Sequence, residues 1–372
     1  MLTKSIWLRL GATIVFAVLA DSGAASAMPN FAQAYGVQCS VCHTQVPALN
    51  AYGRYVQRTG YAALDPHVLR REYPLWIDAA ATYSEQTPGA AVWQGGNVAL
   101  HADGAVGNDW TYHVQQWLVE GNQPGGLDTA WVSYNNLFGR SGHLFVGKVE
   151  EPAPSPLSQW FDLTGFSSAE MTVGEHSYEV DANRWGAKFS YVRNSLDAEV
   201  AYTTAGTDLD GVDDFRNDTD KTLQYRLADA SPTQPLEFGY YGSRGSFPLP
   251  EGGFDQYYTN ALYVQRDPVG HVPGVLATYQ TAYDGNPGGG APAAASNASS
   301  VELYQLFGPR LMISAAEQFT NDGLGTQSHF GTIDASYHVM RFVHVYAEEV
   351  LGQQAKPTFN GLVWFALPLG PL

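Results

Sequence analysis

From Tyr73 onward the chain alternates apolar and polar residues with a period of two, the pattern of strands that face two different environments. In Leu196–Thr204, Leu196, Ala198, Val200 and Tyr202 point one way while Asp197, Glu199 and Thr203 point the other. Trp185, Ala187, Phe189 and Tyr191 oppose Arg184, Lys188 and Ser190, and Leu223, Tyr225 and Leu227 oppose Thr222, Gln224 and Arg226. Near the end, Ile333, Ala335, Tyr337 and Val339 oppose Thr332, Asp334, Ser336 and His338. The alternation predicts strands at 74–83, 91–102, 109–120, 127–137, 143–149, 184–193, 196–204, 222–228, 236–243, 257–266, 274–284, 300–307, 310–319, 328–339, 342–350 and 358–368, about sixteen in all.

A soluble β-sandwich would show the same alternation, so the contents of the polar face decide between the two. That face carries charges in mid-strand, which suits a hydrated or plugged lumen. The other face carries Leu, Val, Ala and aromatics, which lipid accepts. Lipid cannot satisfy an open sheet edge, so such a sheet must close. The expected fold is mainly β: a transmembrane antiparallel barrel over 73–372, set in outer-membrane lipid. Connections agree. Long ones at 150–183, 205–221, 244–256, 285–299 and 320–327 tend to alternate with tight turns at Asn194-Ser195, Gly308-Pro309 and Met340-Arg341. Outer-membrane barrels pair short periplasmic turns with longer outside loops. Glu151–Pro156 reads as a stiff extended stretch and Gly288–Ala295 as a flexible tip.

Composition supports strands: aromatics make up 13%, with 22 Tyr and 9 Trp, beside 39 Gly. The net charge of −17 excludes nucleic acid as a partner and favours cations or a basic protein. Six aspartates gather at Asp208, Asp210, Asp213, Asp214, Asp218 and Asp220, either a solvated acidic loop or a cation site, without the spacing of a calcium loop. No Gly-x-Ser-x-Gly elbow, His-Glu-x-x-His helix or phosphate-binding loop is present, which removes the common hydrolase classes.

The first 27 residues have another logic. Lys4 and Arg9 precede an apolar run through Ala20, and Ala25-Ser26-Ala27 is a small-x-small cleavage site, so 1–27 reads as a signal peptide. No later apolar run approaches the ~20 residues of a membrane helix.

Between the two parts, 28–72 holds the one stretch with explicit chemistry. Cys39-Ser40-Val41-Cys42-His43 is the attachment signature of a c-type haem, with two thiols for thioethers and an adjacent imidazole for the iron. A redox dithiol or a chance match is the alternative. These are the only two cysteines. A short helix is expected around the motif, and a second from near Pro47 or Asn50 to Gly60. So small a unit covers a haem poorly by itself and must lean on the barrel. For the second axial position the candidates are His67, just ahead of the first strand, then Met28, His101 and His113.

The segment Phe31-x4-Gly36-x2-Cys39-x2-Cys42-His43-x3-Pro47-x-Leu49-Asn50-x2-Gly53, running on to Gly60-Tyr61, resembles the opening of outer-membrane fusions of a monohaem cytochrome with a porin, known from iron-oxidising bacteria. The resemblance covers about 30 residues. It implies one covalent haem c on Cys39 and Cys42, with His43 as proximal ligand, inside or against the periplasmic half of the barrel. It also implies one-electron transfer from extracellular Fe(II) or another reductant to a periplasmic c-type cytochrome or other soluble acceptor. The chain departs from the pattern by ending Ala366-Leu-Pro-Leu-Gly-Pro-Leu372, without a terminal aromatic. Inward Arg184, Lys188 and Arg226 would pair with haem propionates or with lumen carboxylates. The competing expectation is a diffusion porin in which the haem segment only gates or stabilises the channel.

Overall fold

Sixteen antiparallel strands close on themselves. The computed structural model describes residues 29–70, 74–85, 91–154, 171–173, 176–178, 183–204, 221–248, 254–286, 292–340, 343–352 and 358–369. The expected signal peptide at 1–27 and the aspartate-rich stretch 208–220 lie outside these. The strands are β1 (Leu75–Glu85), β2 (Ala91–Val106), β3 (Trp110–Glu120), β4 (Leu127–Leu137), β5 (Gly142–Glu150), β6 (Asn183–Arg193), β7 (Leu196–Thr204), β8 (Lys221–Ala230), β9 (Leu236–Pro248), β10 (Phe254–Arg266), β11 (Gly274–Asp284), β12 (Ala294–Phe307), β13 (Leu311–Asn321), β14 (Gln327–Met340), β15 (Val343–Gly352) and β16 (Thr358–Leu369). Each pairs with its sequence neighbours, and β16 pairs with β1 from Leu369↔Leu75 to Phe359↔Glu85, which leaves no edge. Several strands run further than the alternation predicts, notably β2, β9 and β12, because neighbouring strands continue the ladder past the last clear apolar position.

Burial is inverted relative to a water-soluble protein. On β7, Val200 is 47% exposed and Tyr202 58%, while Glu199 is 3% and Thr203 1%. The apolar face therefore looks outward and the charged face inward, as lipid outside and a polar interior require. Large aromatics stand outward towards both ends, with Trp110, Phe138, Phe238 and Phe307 near one and Tyr202 and Tyr258 near the other.

The two ends differ. At one, turns are tight: Asn194-Ser195, with Asn194 at φ 58°, joins β6 to β7 as a two-residue hairpin of the type that needs positive φ. The other end carries the connections 86–90, 151–182, 205–220, 249–253 and 285–293. The 151–182 connection begins with a residue turned inward. Glu151 is buried, and accepts from Arg184 Nε at 2.8 Å and from Gln224 Nε2. A short antiparallel pair, Met171–Val173 with His176–Tyr178, approaches β12, seven strands round from β5. The inward cationic partner of Glu151 draws its carboxylate into the barrel.

The N-terminal segment enters at the tight-turn end. It comprises α1 (Pro29–Tyr35), a 3-10 turn at Cys39–Val41, a small hairpin of His43–Gln45 with Ala48–Leu49, α2 (Ala51–Arg58) and α3 (Pro66–Leu69). The cysteine motif is thus not helical as expected. The Cys42 carbonyl accepts from Asn50 N at 2.9 Å, so backbone pairing runs across a hairpin rather than up a helix.

Turning an outward position cationic tests the orientation. Val200→Arg should cost about 2–4 kcal/mol if the site lies near the bilayer midplane, measured as the loss in denaturant-unfolding free energy of the barrel folded into lipid vesicles.

Candidate functional site: the segment packed inside the barrel

Helix α2 carries two opposite faces. Arg54 and Arg58, four residues apart, share one side of the helix. Tyr52 and Val56 lie on the other. The cationic side meets β7–β10. Arg54 Nε bonds Glu237 at 3.0 Å and its Nη1 bonds Asp267 at 2.9 Å. Arg58 reaches Asp197 at 2.8 Å and Glu237 at 2.7 Å. From the wall, Arg226 on β8 contacts Asp197, Glu199 and Glu237 at 2.7, 2.9 and 3.2 Å, and Lys188 stands 3.7 Å from Glu199. Arg54, Arg58, Arg226 and Lys188 are thus set against Asp197, Glu199, Glu237 and Asp267, all buried. Equal numbers of cationic and anionic side chains offset one another where water is excluded. The neighbouring charges hold the Arg58 guanidinium above its ordinary range despite its burial.

The apolar side meets β2–β5. Val56, Tyr61 and Leu69 pack with Ala105, Trp131, Phe145 and Val149, and Phe31, Tyr35 and Tyr52 lie against them. Tyr61, at φ 65°, reaches His113 Nδ1 at 3.2 Å with its hydroxyl, and His113 is held by Asp103. Gly60, at φ 55°, has Phe145 where a Cβ would be, 2.9 Å away. On a third side, Ala48 packs with Leu276, Tyr304, Met312 and Tyr346, while Ala32, Cys39 and Val46 pack on Trp364. Gln45 Nε2 donates to Ser336 O at 3.1 Å and Tyr346 donates to Val46 O at 3.2 Å. The segment touches walls in every quarter of the barrel.

The cysteine motif itself is held by the residues that follow it. Asn50 caps α2 by accepting from Gly53 N at 3.0 Å, and its Nδ2 donates to the carbonyls of Ser40 and Val41 at 3.1 and 3.2 Å. A Cβ on Gly53 would lie 1.9 Å from the Cys42 carbonyl oxygen, so only glycine lets the helix approach the motif. His43 is buried, and its Nδ1–H donates to Pro47 O at 2.8 Å. Burial pushes its imidazole down to about 4, and pushes the Cys42 thiol up to about 11. Neither cysteine is in a disulfide.

The other predicted residues lie apart from this group. His67 is exposed on α3, which packs on α1 and β2, and its backbone N–H bonds the Asp65 carboxylate. His101 stacks on Trp76 at 3.6 Å and bonds Asp78 at 3.1 Å. Met28 lies outside the described residues. Arg184, Lys188 and Arg226 pair with carboxylates, one of the two expectations for them. Sequence reasoning missed the Arg54 and Arg58 latch, whose only local signal is two arginines at helical spacing. It also missed His344, whose buried ring stands 4.0 Å from that of His338 on the neighbouring strand.

No protein-family model matches the chain, and no curated protein matches it. Solved structures do. An anion-selective porin from Comamonas acidovorans aligns at a TM-score of 0.57 and 12% identity, covering 79% of this chain and 98% of that one. A loop-deletion mutant of OmpT, an outer membrane protein of Vibrio cholerae, gives the same values. OmpF of Salmonella typhi, in complex with daunomycin, aligns at 0.54 and 12%, covering 79% and 97%. The fold is therefore that of the outer-membrane porins.

Two substitutions probe the packing. Glu237→Gln leaves three guanidinium groups short of a charge and should cost about 3–5 kcal/mol, read as earlier loss of the segment's protease resistance on heating. Gly53→Ala should make 29–70 cleavable in limited proteolysis, while the barrel keeps its heat-modifiable gel mobility.

Proposed function

We propose that the chain sits in the outer membrane as a porin-type barrel closed by its N-terminal segment, and that it passes single electrons across that membrane. In this reading the tight-turn end faces the periplasm. Cys39 and Cys42 hold one haem c, and His43 is its proximal ligand. The donor is extracellular Fe(II) or another reductant, and the acceptor a periplasmic c-type cytochrome or other soluble carrier.

The observation that carries this reading is the His43 hydrogen bond. With Nδ1–H given to the Pro47 carbonyl, the lone pair of a neutral imidazole is left on Nε2, the arrangement of metal-ligating histidines. Two cysteines outside any disulfide stand at the attachment spacing and complete the donor set, so the residues present fit the group. A bound haem would supply a one-electron iron couple, tuned by its ligands and burial. The chain's own residues do the rest: Asn50 and Gly53 hold the motif turn against α2, and Arg54 and Arg58 hold α2 against the wall. A carrier within the barrel is needed because the apolar band is roughly 25 Å tall.

The second reading is a diffusion porin with the segment as gate or stabiliser, and the likeness to porins favours it. Against free diffusion stands the shielding of inward polar side chains beyond the segment, among them Thr222, Thr259 and Gln280, at 1% exposure or less. The charge of −17 would favour cations over anions in any passage that does open.

Optical redox titration of the detergent-purified protein, stopped-flow mixing with ferrous iron and planar-bilayer recording separate the two. Electron transfer predicts a reduced c-type spectrum soon after mixing and little conductance. A protein that conducts ions steadily, and whose spectrum ferrous iron leaves unchanged, is a porin.

A further inference from the structure

Where the Cys39–Val46 side of the segment meets the wall, three adjacent strands present a row of rings. His338 on β14 is the register partner of His344 on β15, which in turn is the partner of Trp364 on β16. The two histidine rings stand 4.0 Å apart at 77°, and His344 lies 4.9 Å from Trp364. Trp364 packs on Cys39 and Val46, so the row adjoins the cysteine motif directly. His43 is within electrostatic reach of both histidines.

These two rings are unlike the other inward histidines described. His338 is 3% exposed and His344 0%, yet none of their four ring nitrogens makes a hydrogen bond, although the Val46 carbonyl lies close to His338. By contrast His101 is bonded to Asp78, His113 to Asp103, and His143 Nδ1 to Asn135 at 3.0 Å. A buried polar group left without a partner costs about 1–3 kcal/mol, and such groups in folded proteins commonly answer to a ligand or a catalytic role. Among the described residues no three His, Cys, Asp or Glu side chains are grouped to hold a bare metal ion. A haem iron asks less of the protein, since the porphyrin supplies four of its ligands and the chain only the axial ones.

We propose that the His338–His344 pair, rather than His67, supplies the second axial ligand to the iron of a haem held by Cys39, Cys42 and His43. The assignment rests on the haem reading above. A neutral imidazole on the barrel wall completes the coordination begun by the segment, and so makes the seated segment the form with full ligation. Ligation gives one of the two rings the partner that the polypeptide withholds.

The test uses the full chain, produced in a host with c-type haem maturation. Covalent haem is read by in-gel haem stain, coordination by optical and low-temperature EPR spectra, and folding by heat-modifiable mobility. The wild type and His67→Ala should both be six-coordinate and low-spin with two imidazoles. His338→Ala/His344→Ala should keep its covalent haem, turn high-spin, and return to low-spin with added free imidazole. Loss of the low-spin signal in either single variant, or only in the double, equally supports the pair. Where the alanine pair does not fold, His338→Phe/His344→Phe fills the same volume without a ligand. A folded double variant that stays low-spin, or a high-spin wild type, overturns the assignment and leaves the haem standing. A wild type without covalent haem overturns the haem reading, and the assignment with it.

Discussion

The structure depends on a buried balance of charge. Arg54 and Arg58 come from the segment, Arg226 and Lys188 from the wall, and four carboxylates on or beside β7, β9 and β10 answer them. Removing water from ions costs several kcal/mol each, and only mutual contact repays it. The wall carboxylates therefore need the arginines of α2 as much as α2 needs the wall. Without the segment, Glu237 and Asp267 would lose cations that sit within 3.0 Å of them. The same charges that mark the strands as inward-facing are thus the receptors for the segment.

Once α2 is placed, its other contacts follow from helix geometry. Residues two positions away from the arginines face the opposite wall, so Val56 and Tyr52 meet the aromatic cluster around Trp131 and Phe145. Asn50 ties the start of α2 to the carbonyls of the cysteine turn, and Gly53 removes the side chain that would hold them apart. The cysteine motif is thereby carried to β14–β16, where Trp364, His344 and His338 stand. A rigid short helix converts one electrostatic latch into the placement of a site on the far side of the barrel.

A porin barrel ordinarily spends its inward polar face on water. Here that face is taken up by the segment at the tight-turn end, and Glu151 folds inward to Arg184 and Gln224 further along. Twelve per cent identity to the porins speaks for a shared wall and leaves the use of the interior to be argued from the interior itself. Its contents include two cysteines held beside α2, an oriented imidazole on His43 and two buried histidines whose ring nitrogens make no hydrogen bond.

Much of this was legible along the chain. Period-two alternation is a property of neighbours in sequence, so the sixteen strands, their inward and outward faces and the inward placement of Arg226 and His338 could all be read locally. So could the Cys-x-x-Cys-His spacing, which lies within five consecutive residues. What only the tertiary structure decided is which wall each part of the segment meets. Arg54 and Asp267 are separated by 213 positions, and Gln45 and Ser336 by 291. No local pattern records such pairings, because they arise from barrel closure and from the charge balance across the lumen. The helix expected at the motif gave way to a hairpin for the same reason: the Cys42 carbonyl found its partner in Asn50, across a turn. His338 and His344 became a pair only when β14 and β15 were brought into register.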